Sequence, residues 1–166
     1  PWMREMIDAH HETAQKTGAK IVHSCGFDSI PSDMGTYFMQ KEAQARFGKP
    51  LQKVRYALIK SKGGMSGGTA HSMLNVLKQA VSDKKVRKIL TNPYALNPDP
   101  SVRGIDRSDQ SSVEFNKDLD RWTAPFLMAG INTRIVRRSN ALMNNKYGDD
   151  FSYTETMATG KGASGY

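Results

Sequence analysis

His23-Ser24-Cys25-Gly26-Phe27-Asp28-Ser29-Ile30-Pro31-Ser32-Asp33 is the stretch on which the reading of the fold turns. It follows a short β-leaning run, residues 19–25 (Ala-Lys-Ile-Val-His-Ser-Cys), and leads into a helical pattern. Two carboxylates, two serines suited to capping, a glycine and a proline therefore fall in one strand-to-helix turn. In open α/β sheets ligands gather beyond the carboxyl ends of strands, so this turn is where a site is expected. The competing reading is that Asp28, Ser29 and Asp33 only cap the following helix and complement its dipole.

Working outward, Met3, Met6, Ile7, His10 and Ala14 recur at helical spacing, with Arg4, Glu5, Asp8 and Glu12 on the other face. Pro1 suits the first turn of that helix and Gly18 its left-handed stop. Residues 19–25 then predict a buried strand. Downstream, Met34, Tyr37, Phe38, Lys41 and Ala45 trace a second helix, with Ser29 or Ser32 as N-cap and Gly48 as terminator before Pro50. Val54, Tyr56 and Leu58 alternate with Arg55, Ala57 and Ile59 as a strand. Thr69 opens a third helix whose Ala70, Met73, Leu74, Leu77, Ala80 and Val81 form an apolar stripe.

Pro93, Pro98 and Pro100, followed by the polar residues 103–112, predict a long loop. Residues 122–135 read as an apolar helix with Arg134, Arg137 and Arg138 at its basic end. Phe151, Tyr153, Glu155 and Met157 alternate with small polar residues, which predicts a final strand. Helices and strands in this rhythm place the chain in the α/β (α+β) class.

The 166 residues fit one domain on length, and Lys+Arg 24 against Asp+Glu 16 gives a net charge of +8. No apolar run reaches the roughly 18–20 residues of a membrane span, and no signal-peptide pattern opens the chain. The single Cys excludes an internal disulfide and points to a reducing, cytoplasmic setting. The start at Pro1-Trp2 and the Gly/Ser-rich end lead us to expect a piece of a longer protein.

Cys25 reads as a buried, inert thiol. His23, Cys25 and His71 lack metal-ligand spacing, so no metal site is expected. Gly63-Gly64-Met65-Ser66-Gly67-Gly68-Thr69 could cradle an anion at a helix N-terminus, although Met65 breaks the dinucleotide fingerprint and no Lys precedes Thr69. Read as a close-approach loop beside a substrate, it would bring His71 and Ser72 to the same cavity; an exposed polar face explains those two equally. Two basic clusters, Lys84-Lys85-Arg87-Lys88 and Arg134-Arg137-Arg138, lack interleaved aromatics, and no nucleic-acid partner is expected. Arg137 or Arg138, if buried, could instead hold a substrate carboxylate or phosphate.

With Met34-Gly35 added to the opening stretch, and with Ser66-Gly67-Gly68-Thr69 and Val136-Arg137-Arg138-Ser139 in the same order, the chain resembles the saccharopine-dehydrogenase-like oxidoreductases, including the trans-acting enoyl reductase type. That resemblance implies an N-terminal Rossmann domain binding NAD(P) and a second, mixed-sheet substrate and dimerisation domain. Residues 1–35 would then close the first domain and 36–166 form most of the second. It places Ser24, Cys25, Gly26 and Phe27 near the nicotinamide, Asp28, Ser29 and Asp33 at the junction, and Gly67, Gly68, Thr69 and His71 on the substrate side. Arg137 joins the substrate-binding set, and no acid or base is assigned. The implied reaction is hydride transfer to a C=N, C=O or C=C bond of a small-molecule substrate by a homodimer. The phosphate-binding fingerprint lies outside these residues, so the 166 residues alone should hold NAD(P) weakly and lack turnover. A non-catalytic binding or dimerisation module of the same fold, and a basic nucleic-acid-binding domain, are the alternative readings.

Overall fold

Gly18 and Gly48 end the first two helices in the left-handed conformation, at φ 74° and 67°, where a side chain would be strained. They bound α1 (Trp2–Thr17) and α2 (Ile30–Phe47) in a computed structural model that describes residues 1–27, 29–62, 67–106 and 108–162. β1 (Lys53–Leu58), α3 (Gly67–Ser82), α4 (Lys84–Thr91), β2 (Glu114–Asn116), β3 (Arg121–Pro125), α5 (Ala129–Leu142) and β4 (Ser152–Ala158) follow. The four strands form one mixed sheet in the order β1-β4-β3-β2, with β1 and β4 parallel and the other pairs antiparallel. The α/β class read from the sequence is the class observed.

α5 crosses the sheet over β4, and α2 packs on α5. Between α5 and the sheet, Val136, Tyr147, Phe151 and Tyr153 are buried with Val54, Tyr56 and Met143 against them. A smaller cluster of Ile7, Leu96 and Ile135 joins α1 and the long loop to the other side of α5.

Four arginines tie that loop down. Arg137 donates from Nε to Asp106 at 2.7 Å and from its terminal nitrogens to the Pro93 and Tyr153 carbonyls at 3.1 and 3.0 Å. Its guanidinium lies 5.5 Å from the centre of the Tyr94 ring. Arg134 donates to Asp109 at 2.8 Å and to the Leu90 carbonyl at 2.9 Å. Arg138 donates to the Leu96 carbonyl at 2.6 Å, and Arg4 to the Asn97 carbonyl at 2.8 Å. The basic end of α5 thus satisfies carbonyls and carboxylates of a segment with little ladder of its own.

Several elements differ from the sequence expectation. Residues 19–25 do not form a strand: no backbone hydrogen bond pairs them with another strand among the described residues, and Val22 is 71% exposed. Ser24 there has φ 57°. A β-leaning run without a neighbouring strand has no ladder to join. α2 is turned over: Ser32, Thr36, Gln40 and Ala43 are buried, whereas Met34, Tyr37 and Phe38 are exposed. The inward stripe is satisfied by hydrogen bonds, with the Gln40 side chain donating to the Leu51 carbonyl and accepting from the Leu51 N–H, at 2.9 and 2.8 Å. Residues 122–125 are strand rather than helix, and α5 begins only at Ala129. β2 and α4 lie where only a polar loop and a basic cluster were read; Asp83 caps α4 by accepting from the Lys85 and Val86 N–H groups. On α3, Leu74, Leu77 and Val81 are exposed, and Met73, Val76 and Ala80 are half-buried.

The Arg137 and Asp106 side chains are each 3% exposed, so removing one member leaves an unpaired buried charge. We predict that Arg137→Met lowers unfolding stability by about 3–5 kcal/mol, and that adding Asp106→Leu restores part of it. Urea denaturation of the two single variants and the double variant measures this; additive losses would show that the pair is not coupled.

Candidate functional site

The N-terminal turns of α1 and α5 meet α3 and α4 around a groove of about 430 Å³. α5 and its approach contribute Leu127, Met128 and Ile131, α3 contributes Met73, Val76 and Leu77, and α4 contributes Ile89 and Leu90. Trp2 and Met3 of α1 and Leu96 of the loop complete the lining. Polar atoms are few and peripheral: Thr69 and Ser72 at the start of α3, Gln79, and Arg134, which is already held by Asp109 and the Leu90 carbonyl. Such a concave apolar wall with a few polar groups is the usual character of a small-molecule site. Its methionines lend it a surface that adapts to flexible chains.

The segment expected near a nicotinamide abuts this groove. The Ser24 hydroxyl lies 3.7 Å from the Met3 sulfur, and the His23 ring meets the Trp2 ring edge-on at 5.9 Å. Cys25 is exposed rather than buried, and Phe27 is 74% exposed. Thr69 lines the groove, with Gly67 and Gly68 immediately before it. His71 is exposed and does not line it. Asp28 and residues 63–66 lie outside the described residues.

Ser29, Asp33 and Arg137 are placed elsewhere. Ser29 stands at the N-cap of α2 but makes no side-chain cap; its hydroxyl donates instead to Asn132 Oδ1 at 2.8 Å. The Asn132 amide donates to Glu155 Oε2 at 2.9 Å, and the Tyr153 hydroxyl donates to Glu155 Oε1 at 2.6 Å. Asp33 accepts from the Ser139 hydroxyl at 2.9 Å, while its other oxygen is buried without a partner. Neither the Ser29 nor the Asp33 side chain makes the expected cap hydrogen bond, although Asp33 lies in the first turn of α2, where a carboxylate complements the helix dipole. Their polar atoms join α2 to α5, and through Asn132 to β4, from inside the protein. Arg137 has its donors on Asp106 and two carbonyls, as described above.

Burial pushes both Glu155 and Asp33 above their ordinary carboxyl values, and hydrogen bonds from Ser32, Tyr153 and Asn132 to Glu155, and from Ser139 to Asp33, oppose the shift. Burial and the Glu155 charge push the Tyr153 hydroxyl up. Among the described residues no three of His, Cys, Asp and Glu come together as metal ligands, and no helix is long and apolar enough to cross a membrane.

The sequence reading missed Trp2, Met3, Leu127, Met128, Ile131 and the α4 wall as groove residues. The available signal was the count of nine methionines, which marks adaptable apolar surface without locating it.

Comparison with known proteins finds relatives among curated mycobacterial proteins. A putative trans-acting enoyl reductase of Mycobacterium tuberculosis is 43% identical over 168 residues, covering 96% of this chain and 39% of the relative. A trans-acting enoyl reductase of Mycobacterium bovis is 37% identical over 95% of this chain and 40% of its own length. One from Mycobacterium leprae is 36% identical with the same coverage. The chain thus spans about two fifths of the length of these curated relatives. No protein-family model matches it, and no solved structure does.

Glu155 and Asp33 bind protons more tightly folded than unfolded. Between their ordinary values of 4.5 and 3.8 and the raised folded values, the native state holds the extra proton. Stability is therefore expected to fall as pH rises through that window and to level off above it. Glu155→Gln should flatten this dependence, leaving the part due to Asp33. Urea midpoints from about pH 4 to about pH 8 test it; an unchanged slope in the variant would clear Glu155 of the effect.

Proposed function

We propose that this chain is the acyl-holding part of an NAD(P)H-dependent enoyl reductase, an oxidoreductase that saturates the C=C bond of an α,β-unsaturated acyl group. The observation that carries the reading is the apolar groove, bordered by the segment around Ser24, in a chain whose relatives are enoyl reductases by name. In this reading residues 1–35 belong with the cofactor-binding half and residues 36–166 with the substrate and dimerisation half. The exposed Met34, Tyr37 and Phe38 of α2 support a homodimer or a covering neighbour. The exposed free thiol of Cys25 suits a cytoplasmic setting.

Ser24, Cys25, Gly26 and Phe27 fit the nicotinamide end of the cofactor only. They offer an exposed aromatic ring and a turn whose Gly26 carbonyl accepts from the Ser29 and Ile30 N–H groups, whereas the pyrophosphate calls for a glycine-rich strand-to-helix turn, which these four residues do not form. When bound, the nicotinamide supplies the hydride. The chain's own residues then position and dry the acceptor. Leu127, Met128 and Ile131 hold the acyl tail against Met73 and Leu77, and Trp2 and Met3 stand between that tail and Ser24. Gly67, Gly68 and Thr69 let the head of α3 approach the acyl carbonyl, with His71 at its outer edge. Ser29, Asp33 and Arg137 serve the substrate at one remove, by bracing α5 and the long loop, which line the groove.

In the longer protein, Ile131→Trp should fill the groove and raise KM for a long-chain enoyl thioester about tenfold or more, with a four-carbon enoyl thioester affected far less. NADPH oxidation with the two substrates measures this, and equal effects on both would overturn the groove as the tail site. The 166-residue chain alone is expected to oxidise no NADPH.

A further inference from the structure

α4 has two faces with separate tasks. Val86 is buried, and Ile89 and Leu90 line the groove, at the i, i+3, i+4 spacing of one helical face. Lys84 and Lys88 stand on the opposite face, flanked by Lys85, all exposed. Among the described residues no carboxylate forms an ion pair with any of the three. Arg87 is otherwise engaged, closing the end of α3 by donating to the Ala80 and Val81 carbonyls at 2.9 Å each. On α3, which packs against α4, Leu74 and Val81 are exposed, Val81 at 83%. Three unpaired ammonium groups and a short apolar stripe thus sit on the two helices that wall the groove.

We propose that the outward face of α4, together with the exposed Leu74 and Val81 of the neighbouring α3, docks an acidic protein domain that carries the acyl substrate to the groove. The inference rests on the groove being the acyl site. Charge complementarity selects the partner: lysines without internal counter-charges attract carboxylates from outside, and rim charges of this kind set encounter rate and register. The apolar stripe matches the mixed contacts of a protein surface. Single-stranded nucleic acid is disfavoured because residues 67–91 contain no Phe, Tyr or Trp on which bases could stack.

The test is fluorescence anisotropy of a labelled acidic acyl carrier protein, without an acyl chain, titrated with the 166-residue chain. Saturable binding is expected, weakening steeply with salt. Lys84→Glu/Lys85→Glu/Lys88→Glu should weaken it at least tenfold, with far-UV circular dichroism and melting unchanged. Lys20→Glu/Lys41→Glu/Lys49→Glu, the same change in net charge at exposed lysines elsewhere, should leave it within about twofold. No binding, or equal loss in the two triple variants, overturns the proposal. So does tighter binding of single-stranded DNA, anionic vesicles or acyl-CoA that is lost on reversing the α4 lysines. If the carrier docks through α4 but the longer protein fails to reduce its enoyl thioester, the docking surface stands and the enoyl reductase reading falls.

Discussion

The Arg137–Asp106 pair is the constraint on which the rest of the structure leans. Asp106 comes from the loop, Arg137 from the middle of α5, and the Asp106 carboxylate also accepts from the Ser152 hydroxyl and the Tyr153 N–H of β4. One buried carboxylate therefore fixes a helix, a strand and a long loop in a single register. Arg138 and Arg4 repeat the logic by giving guanidinium groups to loop carbonyls, and Arg134 by binding Asp109 and the Leu90 carbonyl. Because the loop then supplies Ala95 and Leu96 to the groove, the Arg137–Asp106 pair shapes the candidate site without lining it.

Much of the fold is legible from local signals. Glycines at 18 and 48, the 3.6-residue spacing of α1 and α3 and the alternation at 153–157 give elements with nearly correct bounds. What local signals do not give is which face of an element is inward. α2 shows why: its apolar stripe is more conspicuous than its polar one, yet Ser32 and Gln40 turn inward because partners await them in Glu155 and the Leu51 backbone. Those partners lie far away in sequence. Likewise 19–25 has strand chemistry without a strand beside it, and the three residues of β2 are too few to produce a pattern.

The site was legible in part for a related reason. The stretch from His23 to Asp33 was singled out for its chemistry, and the structure divides it. Ser24 belongs beside the groove, through Met3, while Ser29 and Asp33 belong to the interior joint between α2 and α5. Thr69 was found because a glycine-rich segment before a helix is conspicuous. The apolar walls were not, since Leu127, Met128 and Ile131 look in sequence like any core residues.

The sheet order has a consequence in time rather than in space. β1 and β4 are parallel neighbours, yet Lys53 pairs with Ser152, so the whole of α3, α4, the loop, β2, β3 and α5 lies between them in the chain. β4 is also the strand that joins β1 to the β3–β2 hairpin. During synthesis β1 must wait, unpaired along that edge, until β4 emerges, and the sheet can close only then. Assembly through contacts this distant in sequence is slow. In that interval the nascent chain exposes both an open strand edge and the apolar face of α2, making early engagement by a chaperone or a neighbouring segment a matter of folding kinetics as well as of final packing.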